Sequence, residues 1–149
     1  MNKARLACAT LTVWAACVQA APAPASAPAP APALTAQADF DLGRSYRNGA
    51  GVQRDSAQAL ALIGRAARGG HAAAMFILSG MLAAGESTAP DAAGARRWLE
   101  AAADLELPEA MQQLALNLRD GAAGYARDEA RAGQLMNELA HAMKHRAQR

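Results

Sequence analysis

The sequence has little cysteine and few aromatic residues. Its 149 residues include two cysteines, Cys8 and Cys17, and 4% aromatic residues. Both cysteines lie before residue 20, so the rest of the chain contains no thiol that could form a disulfide or react. Because aromatic residues are scarce and alanine is abundant, we expect modest burial per residue and a stability on the order of 5 kcal/mol.

The chain also lacks an excess of charge of either sign. Lys and Arg together number 15, and Asp and Glu number 13. Without Lys3 and Arg5 at the start of the chain, there are 13 of each. A net charge near zero argues against nucleic acid as the main ligand. The basic cluster at residues 144–149 is a local exception, explained either by the dipole of a C-terminal helix or by a binding patch.

The first 20 residues have the three-part layout of a secretory signal peptide. Lys3 and Arg5 precede an apolar run over residues 6–18, and small residues precede Ala21. We therefore expect cleavage after residue 20 and a periplasmic or secreted protein. One alternative is a membrane anchor, although the run is short for a span of about 20 residues. Another is lipidation of Cys17, which would tether the protein to a membrane.

Residues 21–36 are rich in alternating alanine and proline, in the order APAPASAPAPAPALTA. Repeated proline disfavours helix and sheet and favours an extended polyproline II conformation. This stretch is predicted to be a disordered, semi-rigid linker, or alternatively a ligand for a proline-binding groove. The remaining residues, 37–149, are enough for one small domain with one core.

The remaining residues repeat with a period of 36 to 37. Equivalent positions in the three copies carry matching residue types: Ala38, Ala74 and Ala110; Leu42, Leu78 and Leu114; Tyr46, Leu82 and Leu118; Ile63, Leu99 and Met136. This predicts an internal repeat with copies at about residues 38–70, 71–106 and 107–144. Each copy has two amphipathic stretches joined by a turn that contains glycine, so each is predicted to be a helical hairpin.

The capping residues locate the helices. Six helices are predicted, at residues 37–48, 55–68, 71–84, 91–104, 108–120 and 128–146. Asp55, Asp91 and Asp128 are the expected N-caps, and Pro108 fits the first turn of the fifth helix. His71 lies at a helix start, where a structural role is expected.

The repeat has the pattern A-x3-L-G-x2-Y-x2-G-x-G-V-x2-D-x3-A-x2-[W/L]-x3-A-A-x2-G. It closely resembles the Sel-one-like repeat (SLR) family, which is related to the tetratricopeptide repeats. The first copy matches almost throughout, the second loses the Gly-Val of its turn, and the third has Ala115 and Leu139 where the pattern has Gly and Ala. The resemblance covers residues 37–144. It implies an all-α, right-handed solenoid of three helix-turn-helix repeats, used for protein–protein contact and not for catalysis.

The resemblance also implies where a partner binds, namely on the concave face formed by the first helix of each hairpin. The positions that it places there are Phe40, Arg44, Arg47, Asn48, Phe76, Gly80, Ala83, Ala84, Gln112, Leu116, Arg119 and Asp120. Phe40 and Phe76 would form an apolar strip beside arginines, suited to a peptide with apolar and acidic residues. Alternatively, both rings pack between hairpins and the arginines are solvated.

No other pattern points to chemistry. His141 and His145 lie four residues apart and could chelate a metal, but no third ligand is nearby, so solvated side chains are the favoured interpretation. No cofactor, metal or catalytic set is expected. The sequence predicts an exported protein–protein interaction module, an adaptor or scaffold. The alternatives are a cell-envelope enzyme with an unrecognised site, or a structural subunit whose open first hairpin packs against another copy.

Overall fold

A computed structural model describes the backbone of residues 32–147 and the side chains of residues 35–144. These residues form six α-helices: α1 (Pro32–Asn48), α2 (Ser56–Arg68), α3 (Ala72–Ala84), α4 (Ala92–Asp104), α5 (Pro108–Asp120) and α6 (Glu129–Ala147). The expected signal peptide, Cys8, Cys17, the first part of the linker and the side chain of His145 lie outside the described residues. Those expectations stay predictions.

The helices lie where the capping residues predict them, with one difference at α1. This helix begins at Pro32, five residues before its predicted start at residue 37. Pro32 is the last proline before α2, and a proline is tolerated in the first turn of a helix because its missing N–H needs no partner there. Ala36, assigned to the linker from the sequence, is instead a buried residue of α1.

Side chains cap the helices as the sequence predicts. Asp55, Asp91 and Asp128 each accept a hydrogen bond from a backbone N–H three residues ahead, at distances of 2.8 to 3.0 Å. Each bond satisfies a donor that the first turn of a helix leaves free. At the other ends of α3 and α5, Gly85 and Gly121 adopt φ angles of 70° and 66°, a left-handed conformation that costs glycine little.

The helices pack in chain order as three hairpins. Helices α1 and α2, α3 and α4, and α5 and α6 form the hairpins, while α2–α3 and α4–α5 contacts join each hairpin to the next. This is the stacked hairpin solenoid expected from the repeat. Inside the first hairpin, a Cβ atom on Gly43 would lie 2.7 Å from Cγ1 of Ile63, so α1 and α2 approach more closely than any larger residue would allow.

Two apolar clusters make up the core. The first joins α1, α2 and α3, and its buried members are Phe40, Ala59, Ile63, Ala66, Ala67, Ala74, Leu78 and Met81. The second joins α4, α5 and α6, and its buried members are Leu99, Ala102, Ala103, Ala110, Met111, Leu114, Ala115, Leu118, Ala132 and Leu139. Met75 of α3 packs against both clusters, so α3 lies where they meet.

Equivalent positions differ in burial at the two ends of the stack. Leu42 is 43% exposed, whereas Leu78 is 5% exposed and Leu114 3%. The last two are covered by the preceding hairpin, and residues 32–147 contain no hairpin before α1. At the other end, Met136 is 46% exposed although its equivalent Ile63 is 0% exposed. The repeat therefore predicts which residues are equivalent, while the neighbouring hairpin decides which are buried.

Candidate protein-interaction surface

The positions predicted to bind a partner lie on α1, α3 and α5, which begin the three hairpins. We call the exposed surface that the predicted positions of these three helices form the inner surface. A residue can contribute to binding there only if its side chain is exposed and not already engaged within the chain. The twelve predicted positions differ in both respects.

Phe40 does not lie on the inner surface. It is 7% exposed and belongs to the first core cluster. Its ring stacks on the imidazole of His71, with ring centroids 4.3 Å apart and an interplanar angle of 27°. Phe76, one period later, is half-buried against the second cluster. Both rings thus pack toward the following hairpin, the alternative left open by the sequence, and the expected exposed strip lacks Phe40.

His71 links the second hairpin to the first through hydrogen bonds. The backbone N–H of Ala74 donates a hydrogen bond to Nδ1 of His71 at 3.2 Å, so the side chain caps the start of α3. Since Nδ1 accepts, Nε2 carries the hydrogen and donates to Oε1 of Gln37 in α1 at 2.9 Å. The structural role expected for His71 at a helix start is confirmed.

Arg47 is engaged in an ion pair between hairpins. Its Nε and Nη2 atoms donate to the two carboxylate oxygens of Glu86 at 3.1 and 2.8 Å. These hydrogen bonds lower the pKa of Glu86 and raise the pKa of Arg47. The side chains are 33% and 30% exposed, so water screens the pair. Arg47 therefore links the first two hairpins.

The other arginines at predicted positions are exposed. The guanidinium carbon of Arg44 lies 5.5 Å from the centroid of the Phe40 ring, a cation–π distance. Arg119 donates from Nε to the neighbouring Asp120 at 2.7 Å and thereby lowers the pKa of that carboxyl. Arg44 forms no ion pair with the described residues. Of the three predicted arginines, Arg44 has the most freedom to meet an acidic group.

Helix α3 gives the inner surface an uncharged centre. Gly80, Ala83 and Ala84 are exposed, and Phe76 and Ile77 are half-buried. The whole helix, AAAMFILSGMLAA, contains no charged residue. A surface helix ordinarily has a polar side facing water, as α2 does with its arginines, so an apolar exposed side is unusual. A Cβ atom on Gly80 would meet nothing within 4 Å, so packing within the chain does not require this glycine.

The third hairpin adds a groove beside the inner surface. Gln112 is exposed and Leu116 is half-buried. A cavity of about 680 Å³ lies between α5 and α6, and its walls are Ala115, Leu116, Arg119, Asp120, Arg127, Glu129, Ala132, Gly133 and Met136. The sequence did not predict this groove. Gln112, a polar residue at the position that holds phenylalanine in the first two copies, distinguishes the third hairpin but does not line the groove.

The fold is shared with two solved structures. One is a Sel1 repeat protein from Oxalobacter formigenes, with a TM-score of 0.67 and 23% identity over 70% of this chain. The other is c5321, a protective antigen of uropathogenic Escherichia coli that displays an SLR fold, with a TM-score of 0.65 and 28% identity over 71% of this chain. The present chain has the SLR fold. The resemblance seen in the sequence and the predicted all-α solenoid are both confirmed.

The likeness extends over less than half of each of these proteins. The matched region spans 41% of the Oxalobacter protein and 22% of c5321. The sequence matches no family model and no curated protein. The likeness therefore concerns architecture, and the partner of this chain has to be inferred from its own surfaces.

Within the described part of the SLR chain, no group of three or more His, Cys, Asp or Glu side chains could hold a metal ion. No described helix has the length and apolarity of a membrane span.

The phenol of Tyr125 has its pKa raised to about 12, because it is partly buried and close to Glu100. Its hydroxyl donates to the backbone oxygen of Arg96 at 3.3 Å, a contact that holds the turn before α6 on α4.

Proposed function

We propose that this SLR chain is an exported protein–protein interaction module, an adaptor or scaffold, that binds a segment of another protein on its inner surface. The observation that carries the proposal is the uncharged, exposed side of α3 at the middle of that surface. A partner that covers this side would bury the remaining exposed parts of Phe76 and Ile77 without removing any charge of α3 from water, and burial of apolar surface is favourable.

The same surface defines the kind of segment that would fit. Gly80, Ala83 and Ala84 have almost no side chain, so the backbone of a bound helix or strand can come close to α3. Phe76 and Ile77 offer half-buried apolar contacts. Arg44, at the edge in α1, would donate charge-assisted hydrogen bonds to an acidic residue of the partner. The ligand is therefore an apolar peptide segment whose backbone lies close to α3 and which carries an acidic residue on the side that faces α1.

We expect no catalysis, because no catalytic set is recognisable in the sequence and the SLR architecture is typical of binding proteins. A rival function is an envelope enzyme, and a hydrolytic activity that one polar substitution abolishes would favour it. The export signal and a cleaved leader belong to the proposal. A membrane association would follow only from lipidation of Cys17.

Capture of a partner from the native cell envelope tests the inner surface. The bait is the full chain, and the variant is Gly80→Arg, which places a long charged side chain on the centre of α3 without an internal clash. The matched control is Ala61→Arg, since Ala61 is also an exposed small residue in the middle of a helix, but on α2 and away from the inner surface and the groove. Arginine is a good helix former, so both variants should keep their helix content.

Under the proposal, Gly80→Arg lowers the amount of captured partner by at least about tenfold, the loss typical of a disrupted contact centre. The control captures as much as the unmodified chain. Equal capture by all three proteins, with circular dichroism showing them folded, would contradict binding at the inner surface.

A further inference from the structure

The two ends of the solenoid expose surfaces that are buried between its hairpins. The front end is the side of α1 that carries Ala38 and Leu42. The back end is the groove of about 680 Å³ lined by Ala115, Leu116, Gly133 and Met136. Ala38 and Leu42 are exposed, while their equivalents in the second and third copies are buried. Each end is thus one half of an interface that the chain already builds twice.

The equivalence of positions in the repeat shows which residues of the front end and the back end would face each other. Leu78 of the second hairpin packs in one cluster with Ile63 of the first. Leu114 of the third hairpin packs in one cluster with Leu99 of the second. Met136 is the next position in the series of Ile63 and Leu99, and Leu42 is the first position in the series of Leu78 and Leu114. A Leu42 side chain placed in one cluster with Met136 would therefore repeat an arrangement that is present twice within the chain.

The charges at the back end also favour an uncharged occupant. Arg119 is paired with Asp120, and Arg127 is paired with Glu129. Each of these four charged side chains therefore already has a partner of opposite charge, so none of them needs a charged ligand. Its remaining walls are alanine, glycine, leucine and methionine. The small and apolar Ala38 and Leu42 suit such a surface, since their burial costs no ionic desolvation.

We propose that copies of this chain stack head to tail, with the front end of one copy seated in the back-end groove of the next. The contact is heterologous, because each copy uses two different surfaces. Since the stack of hairpins would simply continue, the operation need not close into a ring, and short open oligomers are expected. This inference does not depend on the proposed function, which concerns the inner surface.

Sedimentation velocity of the full chain, from about 1 to 500 µM, tests the stacking. The expected result is a sedimentation coefficient that rises with concentration. Two variants each block one end, Leu42→Glu at the front and Met136→Glu at the back. Both positions are exposed, so neither change should unfold the chain. The matched control is Leu105→Glu, which alters a similarly exposed apolar residue at the end of α4, on neither end of the solenoid.

Each end variant alone should stay monomeric at every concentration, while the control assembles like the unmodified chain. An equimolar mixture of the two end variants should form a dimer and nothing larger, because it offers one intact front end to one intact back end. A monomer at all concentrations would overturn the proposal, as would assembly that survives either end variant. Loss of assembly in only one variant would also overturn it, since that result indicates a symmetric contact.

Discussion

The first and third hairpins are built from equivalent positions, yet they bury different ones. In the first hairpin, Ile63 is completely buried and Leu42 is exposed. In the third, Met136 is exposed and Leu114 is buried. The residue types at these positions are all apolar, so local sequence does not explain the reversal. The missing neighbour does, because among the described residues α1 has no hairpin in front of it and α6 has none behind it.

The two hairpins also differ in how closely their helices approach. Gly43 brings α1 against Ile63, whereas its equivalent in the third hairpin is Ala115. The comparison teaches that a repeat predicts the burial of equivalent residues only for a hairpin with neighbours on both sides. The predictions that follow substitute equivalent or matched positions in different hairpins, and they begin with the largest expected effect.

Ile63→Ala should destabilise the domain far more than Met136→Ala. Removing a fully buried Ile side chain leaves a cavity and costs about 2–5 kcal/mol. Met136 is nearly half exposed, and its truncation should cost less than about 1 kcal/mol. Urea unfolding followed by circular dichroism measures both. Similar losses in the two variants would show that the third hairpin is packed like the first.

Gly43→Ala and Gly80→Ala should change stability in opposite directions. A methyl group on Gly43 meets Cγ1 of Ile63 at 2.7 Å, and overpacking of this kind costs about 1–3 kcal/mol. A methyl group on Gly80 meets nothing, so that variant should gain about 0.5–1 kcal/mol from the better helix propensity of alanine. Thermal unfolding of both variants provides the measurement, and a change of the same sign in both would refute the difference in packing.

His71→Ala should weaken the junction between the first two hairpins by about 1 kcal/mol, the usual value of an N-cap. The matched variant His71→Asn keeps a capping acceptor but loses the ring that stacks on Phe40. It should therefore recover part of the loss seen with alanine. Denaturant midpoints compare the two. If asparagine is no better than alanine, the capping bond contributes nothing to stability.

Glu86→Gln should have the smallest effect, and one that depends on pH. Arg47 lowers the pKa of Glu86, so the ion pair stabilises the fold at neutral pH. Its contribution is complete above the ordinary pKa of glutamate in the unfolded chain, about 4. It is lost as the pH falls from there through the lowered pKa of the folded protein. Because both side chains are about a third exposed, we expect a loss of about 0.2–1 kcal/mol at pH 7.

The measurement for this pair is the urea midpoint of Glu86→Gln relative to the unmodified chain at pH 7 and at pH 3. The difference should shrink at pH 3. The control is Glu138→Gln, the same substitution at an exposed side chain that forms no ion pair with the described residues, so no measurable change is expected at either pH. A Glu86→Gln difference that is equal at both pH values would contradict the assigned role of Arg47.

The helices and their order could be predicted because they depend on local signals. Periodicity, the aspartate caps and Pro108 act within a few residues. The direction of each side chain within the stack could not be predicted in the same way. Phe40 and Arg47 lie on the first helix of a hairpin, and both point to the following hairpin through contacts with His71 and Glu86, which lie 31 and 39 residues away.

One sequence signal did indicate that direction. Phe40 and Phe76 are aromatic, whereas the equivalent residue of the last copy is Gln112. The ring at this position packs toward the following hairpin of the same chain in the first two copies, whereas the described residues contain no hairpin after α6 to cover position 112. The start of α1 was missed for a different reason, since the Ala-Pro pattern was extended past Pro32 into residues that can form helix.

Thiol reactivity at three equivalent positions tests the central claim that neighbouring hairpins decide burial. In the full chain with Cys8 and Cys17 replaced by Ser, single cysteines are introduced as Leu42→Cys, Leu78→Cys and Leu114→Cys. At low micromolar concentration, where stacking of copies is weakest, the thiol at position 42 should react with a soluble disulfide reagent at least about tenfold faster than the other two. All three should react alike in urea. Equal rates at the three positions in the folded protein would contradict the account.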